Sequence, residues 1–249
     1  MKKSKGTILK IILGLVLLFL YLPIVYTIVF SFNSSKSLSV FKGFSLKWYE
    51  KMFNSGEIMD AIFYTIVVAI LTTVISTVVG TITAIGMSKS KKVIRKSIEQ
   101  INDFPIMNPE IVTAIGLLMF FSAVAIRKGF VTMLLAHIMF CIPYVILSIM
   151  PKLRSLDPNL IDAALDLGAT PIQALTKVVI AFTMSFDDFV ISYFVTGNGV
   201  NNISIMVYTM SKRVNPTINA ISTLIIVIIT VALLLLNIIP FIKERKRRK

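Results

Sequence analysis

The sequence predicts an all-α, polytopic membrane helix bundle of about six transmembrane helices. Three observations carry that prediction. Of the 249 residues, 56% are hydrophobic and only 15% are charged, with a mean hydropathy of +0.85. A soluble domain needs a much larger polar surface. Six apolar runs reach the ~20 residues a helix needs to cross a bilayer: 8–32, 58–87, 108–126, 129–150, 178–196 and 218–242. The basic residues then alternate from one side of these runs to the other.

Lys2, Lys3, Lys5 and Lys10, the cluster Lys89 to Lys96, the group Lys152, Arg154 and Lys177, and the tail Lys243 to Lys249 fall on one side. Lys36, Lys42, Lys47, Lys51, Arg127, Lys128, Lys212 and Arg213 fall on the other. Eighteen of the 26 Lys and Arg are therefore on the first side. The positive-inside rule puts both termini and the loop 151–180 in the cytoplasm. The formal charge of +14 is explained by topology and anionic headgroups, so nucleic acid is not an expected partner. The single cysteine, Cys141, excludes an internal disulfide. The first run is too long for a signal peptide and lacks a small-residue cleavage site, so it reads as an uncleaved anchor. With no long linker, low-complexity tract or repeat, residues 1–249 read as one transmembrane domain in a multi-pass membrane protein.

Taken in order, the first span carries Pro23, which is expected to kink it, with Tyr21 and Tyr26 as packing or interface residues. The outer segment FKGFSLKWYEKMF alternates aromatic residues with lysines, and should lie in the interface or cover the outer mouth, with Trp48 in the aromatic belt. The second span is rich in Thr, Val and small residues, which suit close helix packing. In PIMNPEIV, Asn108 is the expected N-cap, Pro109 the first helical residue, and Glu110 a first-turn carboxylate favoured by the helix dipole. Its functional reading is a carboxylate at the cytoplasmic end of a pathway. His137 and Cys141, one turn apart, make a poor metal site without a third ligand; His137 reads as a hydrogen-bonded interior histidine, and no metal is expected.

The fifth span is anomalous. AFTMSFDDFVISYFVTG puts Asp187 and Asp188 inside an apolar run, where each carboxylate costs about 3 kcal/mol. Every Lys and Arg lies in a loop or at a span end, so neither carboxylate has an evident cationic partner. Adjacent helical positions point ~100° apart, so at least one Asp should face a polar cavity. Phe186, Phe189, Tyr193 and Phe194 surround the pair. Carboxylates beside aromatic faces are what an alkylammonium would bind. Asn215–Pro216 is a cap-plus-proline start for the last span.

The loop 151–180 has the punctuation of two short helices. Asp157 and Pro158 start the first, Gly168 ends it, and Thr170, Pro171 and Gln173 start the second. Ala164 and Gly168 leave a bare backbone patch on one face. Such a loop is either a docking knob or a capped interfacial loop.

DAALDLGATPIQALTKVVI resembles the EAA loop of ABC-importer permeases: Glu-Ala-Ala, three residues, Gly, nine residues, then Ile-x-Leu-Pro. Asp162, Ala163, Ala164 and Gly168 fall in register, with Val178 and Ile180 following. FKGFSLKWYEKMF, PIMNPEIV, AHIMFCIPYVI, SFDDFVISYFVTG and VNPTINAISTL are similar to the spermidine/putrescine branch. The resemblance implies a type I ABC-importer permease in a bacterial cell membrane. Its implied partners are a cytoplasmic ATPase dimer docking on Asp162–Gly168, a second homologous permease and an extracellular polyamine-binding protein. Asp187, Asp188, Tyr193 and Glu110 become candidate substrate-pathway residues. One departure stands out: Ala181 occupies the place of the family's Pro, and SFDDF follows almost at once, so the fifth span is shortened by about half a crossing. The chain has no phosphate-cradling Gly loop, so ATP hydrolysis is expected on a separate subunit, and no cofactor is expected. The rival readings are a permease for another small cation or solute, a proton-coupled secondary transporter, and an intramembrane enzyme with an Asp dyad. The dyad is disfavoured because adjacent helical carboxylates converge poorly.

Overall fold

The computed structural model describes residues 2–155, 182–197, 199–211 and 215–247. The helices expected in the loop 151–180, with Asp157, Asp162, Ala163, Ala164, Gly168, Thr170, Gln173 and Ile180, lie outside the described residues from 156 onward. All the named elements are helical: α1 (Lys2–Ser31), α2 (Lys47–Phe53), α3 (Gly56–Lys89), α4 (Lys92–Met107), α5 (Glu110–Ala123), α6 (Phe130–Ser155), α7 (Val190–Val195), α8 (Ile203–Ser211) and α9 (Thr217–Arg247). They fall into two compact units, Met1–Met59 with Val207–Lys249, and Asp60–Met206.

In the first unit, α1 and α2 both pack on α9. The span Leu9–Ser31 buries none of its apolar window, so lipid or another chain must cover it. Helix α1 runs unbroken through Pro23, and Thr27 Oγ1 donates back to the Pro23 carbonyl (2.9 Å). The outer loop is built on Asn33. Its amide donates to the carbonyls of Ser37 (2.9 Å) and Val40 (2.8 Å), and its Oδ1 accepts from the Lys42 N–H (2.9 Å). Its own carbonyl accepts from Trp48 Nε1 (2.7 Å). Trp48 is thus only 4% exposed, which corrects its placement in the aromatic belt: a buried indole N–H needs an acceptor, and the loop backbone supplies one. Phe41, Phe44 and Phe53 are the exposed aromatics there. Asn215 does cap α9, accepting from the Thr217 N–H (3.1 Å).

In the second unit, α6 supplies the core. Met133, Ala136, Phe140, Cys141, Val145 and Ile149 form a stripe at helical spacing that packs with Ala114, Leu117 and Phe121 of α5 and with Ile191 and Val195 of α7. Helix α3 approaches α6 closely at Gly80, where a Cβ would lie 2.7 Å from Val145 Cγ1. The small residues expected to permit such approach do so here.

Among the described residues, three helices are long and apolar enough to cross a bilayer: Leu9–Ser31, Gly56–Lys89 and Phe130–Pro151. The other three expected spans differ in kind. Helix α5 has 14 residues and rises about 21 Å, against a hydrocarbon core of ~30 Å. It meets the amphipathic α4 at 105°, and the two together make a fourth candidate crossing. The described part of span 178–196 is broken, with helix over 182–187 and again in α7. Helix α9 covers span 218–242 and continues to Arg247.

The expected cap at Asn108 is also corrected. Helix α5 starts at Glu110 with Pro109 in the cap position and no side-chain cap bond. The Pro109 carbonyl accepts from the Val112 N–H (2.9 Å). Asn108 is extended, with φ −84° and ψ 144°, as a residue before proline must be. That geometry forces the chain to turn between α4 and α5.

Gly80→Leu should overpack the α3–α6 contact and destabilise the protein by about 1–3 kcal/mol. Thermal unfolding in detergent measures it, and an unchanged midpoint would contradict the close approach.

Candidate functional site

The acidic residues of the fifth span sit where its helix breaks. Asp187 is the last residue of the helical segment 182–187, and Asp188 and Phe189 lie between it and α7. The pair therefore does not ride on one continuous helix, as the sequence led us to expect. The break frees backbone donors at the start of α7, and Asp188 takes them. Its Oδ1 accepts from the Ile191 N–H (3.3 Å) and its Oδ2 from the Ser192 N–H (3.1 Å). Asp188 is buried, 8% exposed, whereas Asp187 is exposed.

His137 of α6 reaches into the same break. Its Nδ1 is 2.8 Å from Ser185 Oγ and its Nε2 is 2.8 Å from Ser192 Oγ. Nε2 also lies 3.3 Å from Asp188 Oδ2. Asn202 closes the cluster, donating from Nδ2 to the Asp188 carbonyl (3.1 Å) and to Ser192 Oγ (2.8 Å). His137, Ser185, Ser192 and Asn202 are all buried. The interior, hydrogen-bonded histidine is as expected. Its link to Asp188 was missed because only Lys and Arg were considered as partners. Ser185, Asp188 and Ser192, spaced three and four apart, could have disclosed a shared polar face; Asn202 has no comparable signal in the sequence.

Beside this cluster is a cavity of about 500 Å³. Glu110 of α5, Asp187 and Asp188 contribute carboxylates to its wall; Phe140, Met184, Phe189 and Val190 contribute apolar surface, with Thr183. Among the described residues that line it there is no Lys or Arg. The structure thus brings together three of the four expected pathway residues. Tyr193 is not in the wall. It is exposed, and its ring packs on Phe189, with centroids 5.4 Å apart. The expected docking residues Asp162, Ala163, Ala164 and Gly168 lie outside the described residues. Among the described residues, no group of three or more His, Cys, Asp or Glu side chains is arranged to hold a metal ion. Chemically, a cavity with three carboxylates and aromatic walls accommodates a cation that carries hydrocarbon.

These features define a multi-pass, helical membrane protein with an acidic cavity among its helices, the class to which transport permeases belong. The chain belongs to the family of binding-protein-dependent transport system inner membrane components, whose profile matches residues 76–249. It is similar to the spermidine/putrescine transport system permease protein PotC of Haemophilus influenzae, with 32% identity over 233 residues, covering 88% of this chain and 90% of that protein. It is also similar to the putrescine transport system permease protein PotI of Escherichia coli K12, with 34% identity over 250 residues, covering 90% and 86%. A PotC homolog of Mycoplasma genitalium aligns at 26% identity over 276 positions, covering 99% of this chain and 95% of that protein. Those 276 positions exceed the 249 residues here, so that relative has residues with no counterpart in this chain.

Asn202→Leu removes the donor from two buried acceptors, the Asp188 carbonyl and Ser192 Oγ. It should destabilise the second unit by about 1–2 kcal/mol, read as a lowered unfolding midpoint in detergent. A neutral effect would mean that the cluster does not hold the break.

Proposed function

We propose that this chain is the membrane-spanning permease subunit of an ATP-driven importer of polyamines. It sits in the bacterial cell membrane with both termini cytoplasmic, as one permease domain over 1–249. The observation that carries the reading is the cavity wall. Three carboxylates and two phenyl rings face one space with no basic residue among them. A polyamine is a chain of methylenes between ammonium groups. Glu110 and Asp187 are the exposed carboxylates and bind the ammonium groups. Asp188 adds a fixed negative charge, and Phe140 and Phe189 cover methylenes and offer π faces. A cavity of this size falls in the range of small-molecule sites. The names of the similar permeases support the cargo class.

The rest of the reading follows from the resemblance of the cytoplasmic loop. Asp162, Ala163, Ala164 and Gly168 form the surface gripped by a cytoplasmic ATPase dimer, which hydrolyses the ATP. A second homologous permease completes the pathway, and an extracellular binding protein delivers the cargo. Ala181 in place of the family's Pro, with SFDDF following almost at once, supports a shortened connection between loop and fifth span. Tyr193 lies outside the cavity wall and contributes by fixing Phe189.

Asp187→Asn and Glu110→Gln should each lower spermidine uptake at sub-saturating concentration by at least about tenfold, since each removes a charge-assisted contact of about 1.5–3 kcal/mol. Assembly should be unaffected. Uptake by the double variant at the wild-type level would refute the cargo site. Wild-type uptake competed by neutral solutes and not by spermidine would move the cargo to another class. Separately, Gly168→Glu should fill the bare patch on the loop and abolish transport while the ATPase still hydrolyses ATP on its own; retained transport would rule out docking there.

A further inference from the structure

We infer that His137 is a positioning residue for the cargo cavity: through its two ring nitrogens it clamps both halves of the broken fifth span and holds the Asp188 carboxylate in place. The inference rests on the polyamine reading for the identity of the cargo, but not for the clamp itself.

The clamp is visible in the connectivity. Ser185 belongs to the segment before the break and Ser192 to α7 after it. His137, the chain's one histidine, is hydrogen-bonded to both, at 2.8 Å each. A single imidazole on α6 therefore bridges the two flanks of a point where the helical ladder is interrupted. Inside a membrane the interrupted backbone cannot turn to water, so whatever fixes the two flanks fixes the geometry of the break.

Hydrogen-bond bookkeeping also assigns the ring. Asp188 Oδ2, which can only accept as a carboxylate, lies 3.3 Å from Nε2. Ser192 Oγ already receives the Asn202 amide and is placed to donate to the Asp188 carbonyl (3.0 Å). The inferred clamp takes Nε2 as the nitrogen that carries the proton, directed at Ser192 Oγ and Asp188 Oδ2, with Nδ1 facing Ser185; this tautomer is assigned from the neighbouring groups and is part of the inference. The opposite tautomer would set a nitrogen lone pair against the carboxylate oxygen. Asp188 is then held on three sides, by the Ile191 and Ser192 N–H groups and by His137. It is a fixed negative wall for the cavity. Asp187 and Glu110, both exposed, are the carboxylates left to adapt to the ammonium groups. Because His137 stands on α6, a shift of α6 reaches the Asp188 carboxylate through this ring, alongside the Thr132 bond to the Val195 carbonyl (2.7 Å) and the packing of α6 on α7.

The geometry makes an asymmetric demand on substitutes. A glutamine amide nitrogen overlies Nε2 of histidine, whereas an asparagine amide overlies Nδ1. The test uses the full complex in proteoliposomes, with rates taken per assembled complex. His137→Ala and His137→Asn should lower spermidine uptake at least about tenfold, and His137→Gln should stay within about threefold of wild type, because only Gln keeps the donor toward Asp188. His137→Ala combined with Asp188→Asn should fall no further than Asp188→Asn alone, whereas with Asp187→Asn the losses should multiply. A second readout needs no cargo. Cys141, the chain's one thiol, is buried one turn from His137. Its labelling by a membrane-permeant maleimide should be faster in the Ala and Asn variants than in wild type or Gln. Asparagine rescuing as well as glutamine, multiplicative losses with Asp188→Asn, or identical labelling in all variants would overturn the inference. Absent spermidine uptake by wild type would overturn the cargo reading, and the Cys141 pattern would then decide the clamp by itself.

Discussion

A carboxylate buried within a bilayer must find its donors inside the protein, and much of the second unit is arranged around how Asp188 does so. An intact helix through Asp188 would leave its backbone N–H groups bonded to carbonyls one turn earlier, with none to spare. The break at Asp188 and Phe189 releases the N–H groups of Ile191 and Ser192, and the carboxylate accepts both. Each defect thereby offsets the other. His137 from α6 and Asn202 from the stretch just before α8 complete the arrangement, so a local interruption becomes a contact among elements distant in sequence. The buried hub and the open cavity are two sides of the same carboxylate: its oxygens are satisfied within the protein, while the residue as a whole still lines the cavity.

Much of this was legible in the chain itself, because the signals involved are local or compositional. The length and apolarity of α1, α3 and α6 follow from runs of Leu, Ile and Val. The capping of α9 by Asn215 follows from a residue and a proline beside it. Asp187 and Asp188 were conspicuous because carboxylates are expensive inside an apolar run, Glu110 as a first-turn carboxylate after Asn108–Pro109, and the structure places all three on one cavity. What was not legible depends on non-local partners. The break at Asp188 is invisible to periodicity, since SFDDFVIS contains neither proline nor glycine; it is tertiary hydrogen bonding from His137 and Asn202 that makes it tolerable. The same holds for Asn108, whose side chain suits a cap but whose backbone is dictated by the next residue, Pro109.

The first unit repeats the lesson with a neutral side chain. Trp48 has the composition of an interface anchor, flanked by lysines and aromatics. Yet the loop between α1 and α2 is wound around Asn33, whose amide and backbone together answer five polar groups. Once that loop exists, its inner carbonyl is the nearest acceptor for an indole, and burial follows. The exposed positions nearby pass to Phe41, Phe44 and Phe53.

The shortness of α5 has a consequence for the lipid around it. With Glu110 at one end and Arg127 and Lys128 just past the other, its polar limits lie closer together than the thickness of an ordinary hydrocarbon layer. Hydrophobic mismatch of this sign is relieved by drawing the two leaflets together. Wherever α5 by itself faced lipid, the insulating layer next to the wall that bears Glu110 would therefore be thinner. Since the self-energy of an ion in a low-dielectric slab falls as the slab narrows, the barrier to a charge beside Glu110 would be set by this 14-residue helix and not by the 34 residues of α3.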